Sequence, residues 1–382
     1  MKPPMALFFI FVLLFFFAIN YYICYRGWQA LALPRKYNIL YFVTCTLLVF
    51  SFPLAMLLRD KIPIGISPLA EAIGSTWIAV MLFAFIFVYF IDLFRIVNHF
   101  FPFFPDFITH NIILTKRILF TCAIIFTTVL IIIGNRNYRN PETTRVQIVT
   151  DKNLGAAKEL NILFFTDFHL TGLISEKRVQ EYVEMMNREE YDLVLIGGDL
   201  LDGDNRMWEK NKFASILQQL TPKYGIYGCM GNHEYYNGIK KIENFYKKSG
   251  ITLLRDRVIS IGDSNNILLV LRDDRTNTER QSIENLLKTA DKENQFIITL
   301  DHQPKELAEA SQNGVDLLLC GHTHDGQIFP ISLMIRKMWE VAYGHEKMNN
   351  MDIYVSSGLG LWGPPIRLGT QSELVRIKIK EK

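Results

Sequence analysis

The feature that most limits what this chain can become is a set of four apolar stretches in its first 145 residues, at 5–24, 38–57, 74–93 and 118–134. Crossing a bilayer core as a helix takes about 20 such residues. Charge brackets every stretch: Arg26, Arg35 and Lys36 follow the first, Arg59 and Lys61 the second, and Arg95 the third, while Lys116 and Arg117 precede the fourth. Buried core helices would show heptads or amphipathic faces, and these show neither. Four transmembrane helices are expected, in a multi-pass protein of the cell membrane. Lys2 ahead of the first run imitates a signal peptide. That run is too long for a signal core, however, and no small-x-small cleavage site follows it, so it is expected to stay as an anchor.

Composition divides at the same place. Residues 1–145 hold 21 of the 28 Phe, with 12 Lys+Arg against 5 Asp+Glu, a net of +7; residues 146–382 hold 29 basic and 33 acidic groups, a net of −4. The formal +3 is the sum of two unlike pieces. That excludes a single soluble domain, intrinsic disorder and a basic nucleic-acid binder. The positive-inside rule does not orient the spans. Lys2, Arg59, Lys61, Arg136, Arg139 and Arg145 fall on one side, and Arg26, Arg35, Lys36, Arg95, Lys116 and Arg117 on the other. Asp92, near the end of the third span, is expected to pair with Arg95 or to face the interior. Between spans three and four, Pro102 and Pro105 disfavour a continuous helix, and five Phe between 100 and 107 suit a membrane interface or a loop packed on the bundle.

The polar stretch 135–158 reads as a linker and lead-in, giving a division into an anchor (1–134), the linker, and a domain at 159–382. In that domain, strand-like runs at 161–166, 193–197, 225–229, 267–271, 296–300 and 315–320 alternate with helical patterns at 175–188, 206–220, 240–248 and 305–312. Such alternation argues for α/β layers. Cys229 and Cys320 end apolar runs without zinc-site spacing and are expected to be buried spectators.

Five of the eight His lie just past expected strand ends, together with carboxylates and one Asn: Asp167-Phe-His169, Gly198-Asp199-Leu-Leu-Asp202, Gly231-Asn232-His233-Glu234, Asp301-His302 and Gly321-His322-Thr-His324. On an extended chain, residues two apart share a face, so Asp167 with His169, and His322 with His324, can each grip one ion. Mixed carboxylate and imidazole donors suit Mn, Fe, Zn or Co, whereas Mg and Ca prefer oxygen. Asp167, His169, Asp199, Asn232, His302, His322 and His324 are too many donors for one four-coordinate ion. They suit two divalent ions sharing a bridging carboxylate.

These blocks, in this order, resemble the calcineurin-like metallophosphoesterase superfamily, with its D-x-H, G-D-x-x-D, G-N-H-E/D, H and G-H-x-H pattern. The tail from Ser357 to Gly369 resembles a bacterial, membrane-associated branch, in which two Gly and a Gln follow G-H-T-H. Here Asp325 replaces the first Gly and adds a carboxylate near the ions. The resemblance implies two mixed sheets flanked by helices, an αββα sandwich with the site at its loop edge. It implies Asp167, His169, Asp199 and His324 around the first ion, and Asp199 as bridge with Asn232, His302 and His322 around the second.

The implied reaction is hydrolysis of a phosphomonoester, phosphodiester or pyrophosphate by a metal-bridging hydroxide. His233 would protonate the leaving oxygen, and Asp202 would hold its tautomer. Glu234 props the site or simply caps a turn; Arg367 binds phosphate or forms a structural ion pair. The anchor admits a lipid-linked phosphoester or pyrophosphate as substrate, or a soluble one. A transporter or sensor regulated by the esterase half is the reading of another class. It is disfavoured because, Pro53 apart, the spans lack mid-membrane charges and helix breakers. Likeness to secreted members of the branch points to the outer face of the membrane.

Overall fold

The computed structural model describes residues 3–59, 61–155, 158–262 and 265–382. Lys2, one of the charges weighed for orientation, lies outside the described residues. Two compact units are present, Met1–Gly134 with Gly363–Pro365, and Asn135–Trp362 with Ile366–Lys382.

The first unit is helical: α1 (Pro3–Leu31), α2 (Arg35–Leu57), α3 (Ser67–Phe100), the short α4 (Asp106–His110) and α5 (Ile112–Arg139). All but α4 are long and apolar enough to cross a membrane. Hydrocarbon offers no partner for a backbone N–H, so the helix is the state that satisfies such a segment internally. Their outward faces are apolar, with Ile39, Leu40, Leu47 and Leu57 among the exposed side chains. Small residues draw α2 and α3 together: a Cβ on Gly74 would sit 2.6 Å from the Cα of Phe52. Inside the bundle Asn20 donates to the Phe16 carbonyl and accepts from the Trp77 indole at 2.9 Å. Asp92 does pair with Arg95, at 2.9 Å, and also takes Arg26 and the Tyr22 hydroxyl, each at 2.5 Å. After α3 the chain turns through Pro102 to Pro105, with Asn98 accepting the backbone N–H groups of Phe103 and Phe104. Phe100, Phe101, Phe103 and Phe107 are left exposed.

The second unit is built on twelve strands: β1 (Glu142–Thr150), β2 (Glu159–Phe165), β3 (Leu193–Ile196), β4 (Ile226–Gly228), β5 (Thr252–Leu253), β6 (Arg257–Ile261), β7 (Ile267–Leu271), β8 (Phe296–Leu300), β9 (Leu317–Cys320), β10 (Gly344–Met348), β11 (Met351–Val355) and β12 (Glu373–Glu381). They form two six-stranded sheets, ordered β1-β12-β2-β3-β4-β5 and β10-β11-β9-β8-β7-β6. Both are mixed. β12 runs antiparallel to β2 and parallel to β1, and β6 and β10 are the antiparallel edges of the second sheet. Side chains alternate across that second sheet. Ile267, Leu269, Leu271, Phe296, Ile298, Leu300, Leu317 and Leu319 face the core between the sheets. Leu268, Val270, Ile297 and Leu318 face the flanking helices. This period of two makes the αββα sandwich. Cys229 and Cys320 are buried, unpaired, in its two clusters.

The stretch 135–158 is not a linker. α5 runs on to Arg139, and β1 pairs along its length with β12, Glu142 opposite Glu373. Val146 and Ile148 turn into the core while Arg145, Gln147 and Val149 turn out, so the outward polar residues gave the segment its loop-like composition. The helical pattern at 206–220 breaks into Asn205–Lys210 and Phe213–Leu217.

Ile148 is therefore a structural residue. Ile148→Asn, which buries an amide without a partner, is expected to destabilise the second unit by about 3 kcal/mol. Thermal unfolding of the full-length protein in detergent reads this, and an unshifted transition would contradict the placement of β1 in the core.

Candidate metal centre

Five loops meet at the carboxyl ends of β2, β3, β4, β8 and β9, where open α/β sheets place their sites. Two close approaches need glycine: a Cβ on Gly231 would collide with Oδ1 of Asp199, and one on Gly321 with Oδ2 of Asp167. The donors themselves sit in strained backbone. Asp167, His169, Asp199, His322 and His324 have φ of 52°, 47°, 50°, 71° and 50°, the left-handed region that side-chain-bearing residues seldom adopt. Each such residue costs about 1–3 kcal/mol, and such strain clusters at functional sites.

The strain is held by hydrogen bonds. Asp167 accepts from the Thr166 hydroxyl at 2.9 Å and from the His322 backbone N–H at 3.0 Å. Asp199 accepts from the His233 backbone N–H at 2.9 Å. Glu234 is fully buried and clamps two loops, accepting from the backbone N–H groups of Asp199, Leu200 and Gly231 at 2.7–2.8 Å. It fills both roles open to it: the bond from Gly231 caps the turn at Asn232–Asn237, and those from Asp199 and Leu200 prop the site. Burial, reinforced by the Asp199 charge, pushes its carboxyl up to about 7. The Trp208 indole joins the first and second loops by donating to the carbonyls of Leu170 and Asp202.

Three overlapping groups of side-chain donors result: Asp167–His169–His324, Asp199–His302–His322 and, sharing residues with both, His169–Asp199–His233. In the first, Nε2 of His169 and of His324 lie 3.1 Å apart, and Nε2 of His324 is 3.4 Å from Asp167. In the second, Nε2 of His302 is 3.1 Å from Oδ2 of Asp199 and 3.3 Å from Nδ1 of His322. The same Asp199 oxygen is 3.8 Å from His169, so this carboxylate stands between the clusters. Asn232 completes the expected set: it is buried, and its Oδ1 has no hydrogen-bond partner.

These residues fit cations. His302 donates from Nδ1 to the Gly197 carbonyl at 2.8 Å, and Nδ1 of His169 faces Asp202 at 3.2 Å, which turns both Nε2 atoms into the site. Nε2 of His169 and of His324 lie close enough to share one ion. Burial and the neighbouring His302 push His322 down to about 3, and burial with His169 pulls His324 well below its ordinary value, so both imidazoles are neutral donors.

His233 and Asp202 come together as expected, Nδ1 to Oδ1 at 3.0 Å, and the His233 ring stands edge-on to His169. Burial pulls the His233 imidazole down, but the Asp202 hydrogen bond and the Asp199 charge outweigh it and leave it raised to about 9. Arg367 is fully buried and does neither thing expected of it. Its guanidinium donates to the carbonyls of Ser357, Gly358, Gly360 and His324, tying the tail to the metal loop. Asp325 pairs with Arg336 at 2.6 Å. Spacing could not reveal Thr166, Trp208 or Arg336, because their roles are contacts across the chain; only the buried charge of Asp325 implied that some cation must meet it.

A family model for calcineurin-like phosphoesterases matches residues 160–326. A metallophosphoesterase of Helicobacter pylori is 35% identical over 246 residues, 63% of this chain and 65% of that protein, just under two thirds of its length. One of Aquifex aeolicus is 33% identical over 243 residues, 62% of this chain and 90% of that protein. A Danio rerio protein, named a transmembrane protein with a metallophosphoesterase domain, is 29% identical over 276 residues, 68% of this chain and 62% of its own.

Glu234→Ala would strand three buried N–H groups. The expected loss is at least about 3 kcal/mol, with the two loops released and bound metal lost. Thermal unfolding and elemental analysis of the purified variant check this; a variant with unchanged stability and metal content would refute the clamp.

Proposed function

Because this chain belongs to the calcineurin-like metallophosphoesterase family, we propose that it is a membrane-anchored, metal-dependent hydrolase of a phosphomonoester, phosphodiester or pyrophosphate. One observation carries the reading: Asp167, His169, Asp199, His302, His322 and His324 gather in overlapping groups that Asp199 links, and the Asn232 carbonyl oxygen is buried and unpartnered. Asp167, His169, Asp199 and His324 would hold one divalent ion, and Asp199, Asn232, His302 and His322 the other. Mn, Fe or Zn suits this mixture of nitrogen and oxygen. When bound, such ions polarise phosphoryl oxygens and acidify water.

The remaining work falls to the chain. A new bond forms from the water oxygen to phosphorus as the ester P–O bond breaks; the water sheds one proton to solvent, from which the donor is later reprotonated, and the departing oxygen needs a proton. His233 supplies it from Nε2, because Asp202 occupies Nδ1 and fixes the ring. Asp202 is thus a positioning residue shared with His169, through its other oxygen.

A lipid-linked phosphoester or pyrophosphate is the finer reading of the substrate. It is favoured by the four apolar helices, which keep a phosphoesterase at a bilayer. Lipid extracts of a strain lacking the protein would then accumulate a phosphorylated lipid, and unchanged extracts would return the substrate to the soluble class. The outer face is the expected side. A periplasmic-type reporter fused after Lys382 should be active, and an inactive one would reverse the topology.

Asp199→Asn should abolish hydrolysis of an aryl phosphodiester. EDTA should do the same, with Mn restoring activity. His233→Ala should retain metal yet slow hydrolysis by about 10²–10⁴-fold, more for alkyl than for aryl leaving groups. A folded, metal-loaded protein that cleaves nothing in a broad phosphoester panel would overturn the reading.

A further inference from the structure

The helix Ile331–Met338 is inside out for a water-soluble unit. Ser332 is its buried residue, while Ile331, Leu333, Met334 and Met338 point away from the protein. Phe329 before the helix and Trp362 are also exposed, the latter tied to Gln327 by two hydrogen bonds. Of nine exposed large apolar side chains among the described residues of the second unit, seven lie at 329–343 and 362; the other two are Val149 and Tyr236. Soluble surfaces scatter such residues singly, and a contiguous patch marks an interaction site.

The patch is joined to the metal centre. Ser332 packs on Gly326, whose added Cβ would come within 2.5 Å of the helix backbone, and Arg336 holds Asp325, the neighbour of His324. Trp339, just past the helix, stands edge-on to His322 at 5.4 Å, and Lys305 lies over its outer ring face at 5.0 Å. Arg336, paired with Asp325, and Lys337 fill the last turn, and Glu340 is the one acid among residues 331–343. Apolar side chains on one side with Lys and Arg at the border are the composition of helices that lie in a membrane interface. Trp and Tyr favour that boundary, and this chain carries four helices sized for a bilayer.

We infer that the outward face of helix Ile331–Met338, with Phe329 and Trp362, docks on the headgroup–acyl boundary of an anionic bilayer and brings the metal centre to lipid headgroups. The second half of this statement rests on the hydrolase reading; the docking itself does not.

The test uses the full-length protein in vesicles of phosphatidylcholine and phosphatidylglycerol containing a phosphatidylcholine with a photoreactive acyl chain. After irradiation, peptide mapping should find lipid adducts on 329–343 as well as on α1, α2, α3 and α5, which serve as the internal standard. Combining Leu333→Ser, Met334→Ser and Met338→Ser should lower adducts at 329–343 on the order of tenfold, leaving the four helices labelled. Aryl phosphodiester hydrolysis by that variant in detergent should stay within about twofold, since the helix face makes no contact with the donors. Labelled membrane helices beside a clean 329–343 would overturn the proposal. So would cross-linking of that segment to a second copy of the chain. Labelling in a preparation that hydrolyses no phosphoester would uphold the docking and sink the hydrolase reading alone.

Discussion

One electrostatic demand shapes the second unit: Asp167, Asp199 and Asp202 must share a nearly dry volume with five imidazoles. Left alone, each carboxylate would be driven to protonate by burial. Asp199 escapes because His302, His233 and His169 surround it and hold its carboxyl well below the usual range in spite of that burial. Placing donors this close requires the chain to turn sharply five times, which explains the left-handed backbone at five of them and the glycines against Asp167 and Asp199. It also explains Glu234, whose backbone contacts hold a strained loop pair in the one arrangement where the charges alternate.

The site was more legible in the sequence than the scaffold that builds it. Short blocks ending apolar runs named the carboxylates and imidazoles that gather at the loop edge, because metal chemistry restricts residue type and strand ends restrict position. The partners of Arg367 and Asp325 were not legible, for a common reason. Both are charges whose partners, a set of backbone carbonyls and Arg336, lie on other segments, and spacing along a chain does not report proximity across it. In the scaffold, the continuous apolar runs of β7, β8 and β9 were plain. β1 and β12 were not: their alternation of apolar and charged residues, as in Arg376-Ile-Lys-Ile-Lys380, was diluted by the surrounding polar stretch, and β10 is an exposed edge with no apolar face to read.

The two units use opposite conventions for the same residues. In the first, apolar side chains point outward and the few polar ones, Asn20 and Asp92, are consumed by partners within the bundle. In the second, apolar side chains point inward and polar ones outward, as water requires. Helix Ile331–Met338 follows the convention of the first unit although it belongs to the second. A local reversal of that kind is a statement about the solvent it meets.

The order of strands also sets a timetable. β12 lies between β1 and β2, yet the residues it pairs with are made far earlier: Glu142 waits for Glu373, and Phe164 for Val375. Until 373–381 leave the ribosome, β1 and β2 cannot be neighbours, and each shows an open hydrogen-bonding edge beside unburied apolar residues. Pairings so distant in sequence form slowly, and partly made sheets with open edges are prone to aggregate. Because the apolar helices precede this unit in the chain, its unfinished sheet would spend that interval tethered beside a membrane instead of diffusing among other nascent chains.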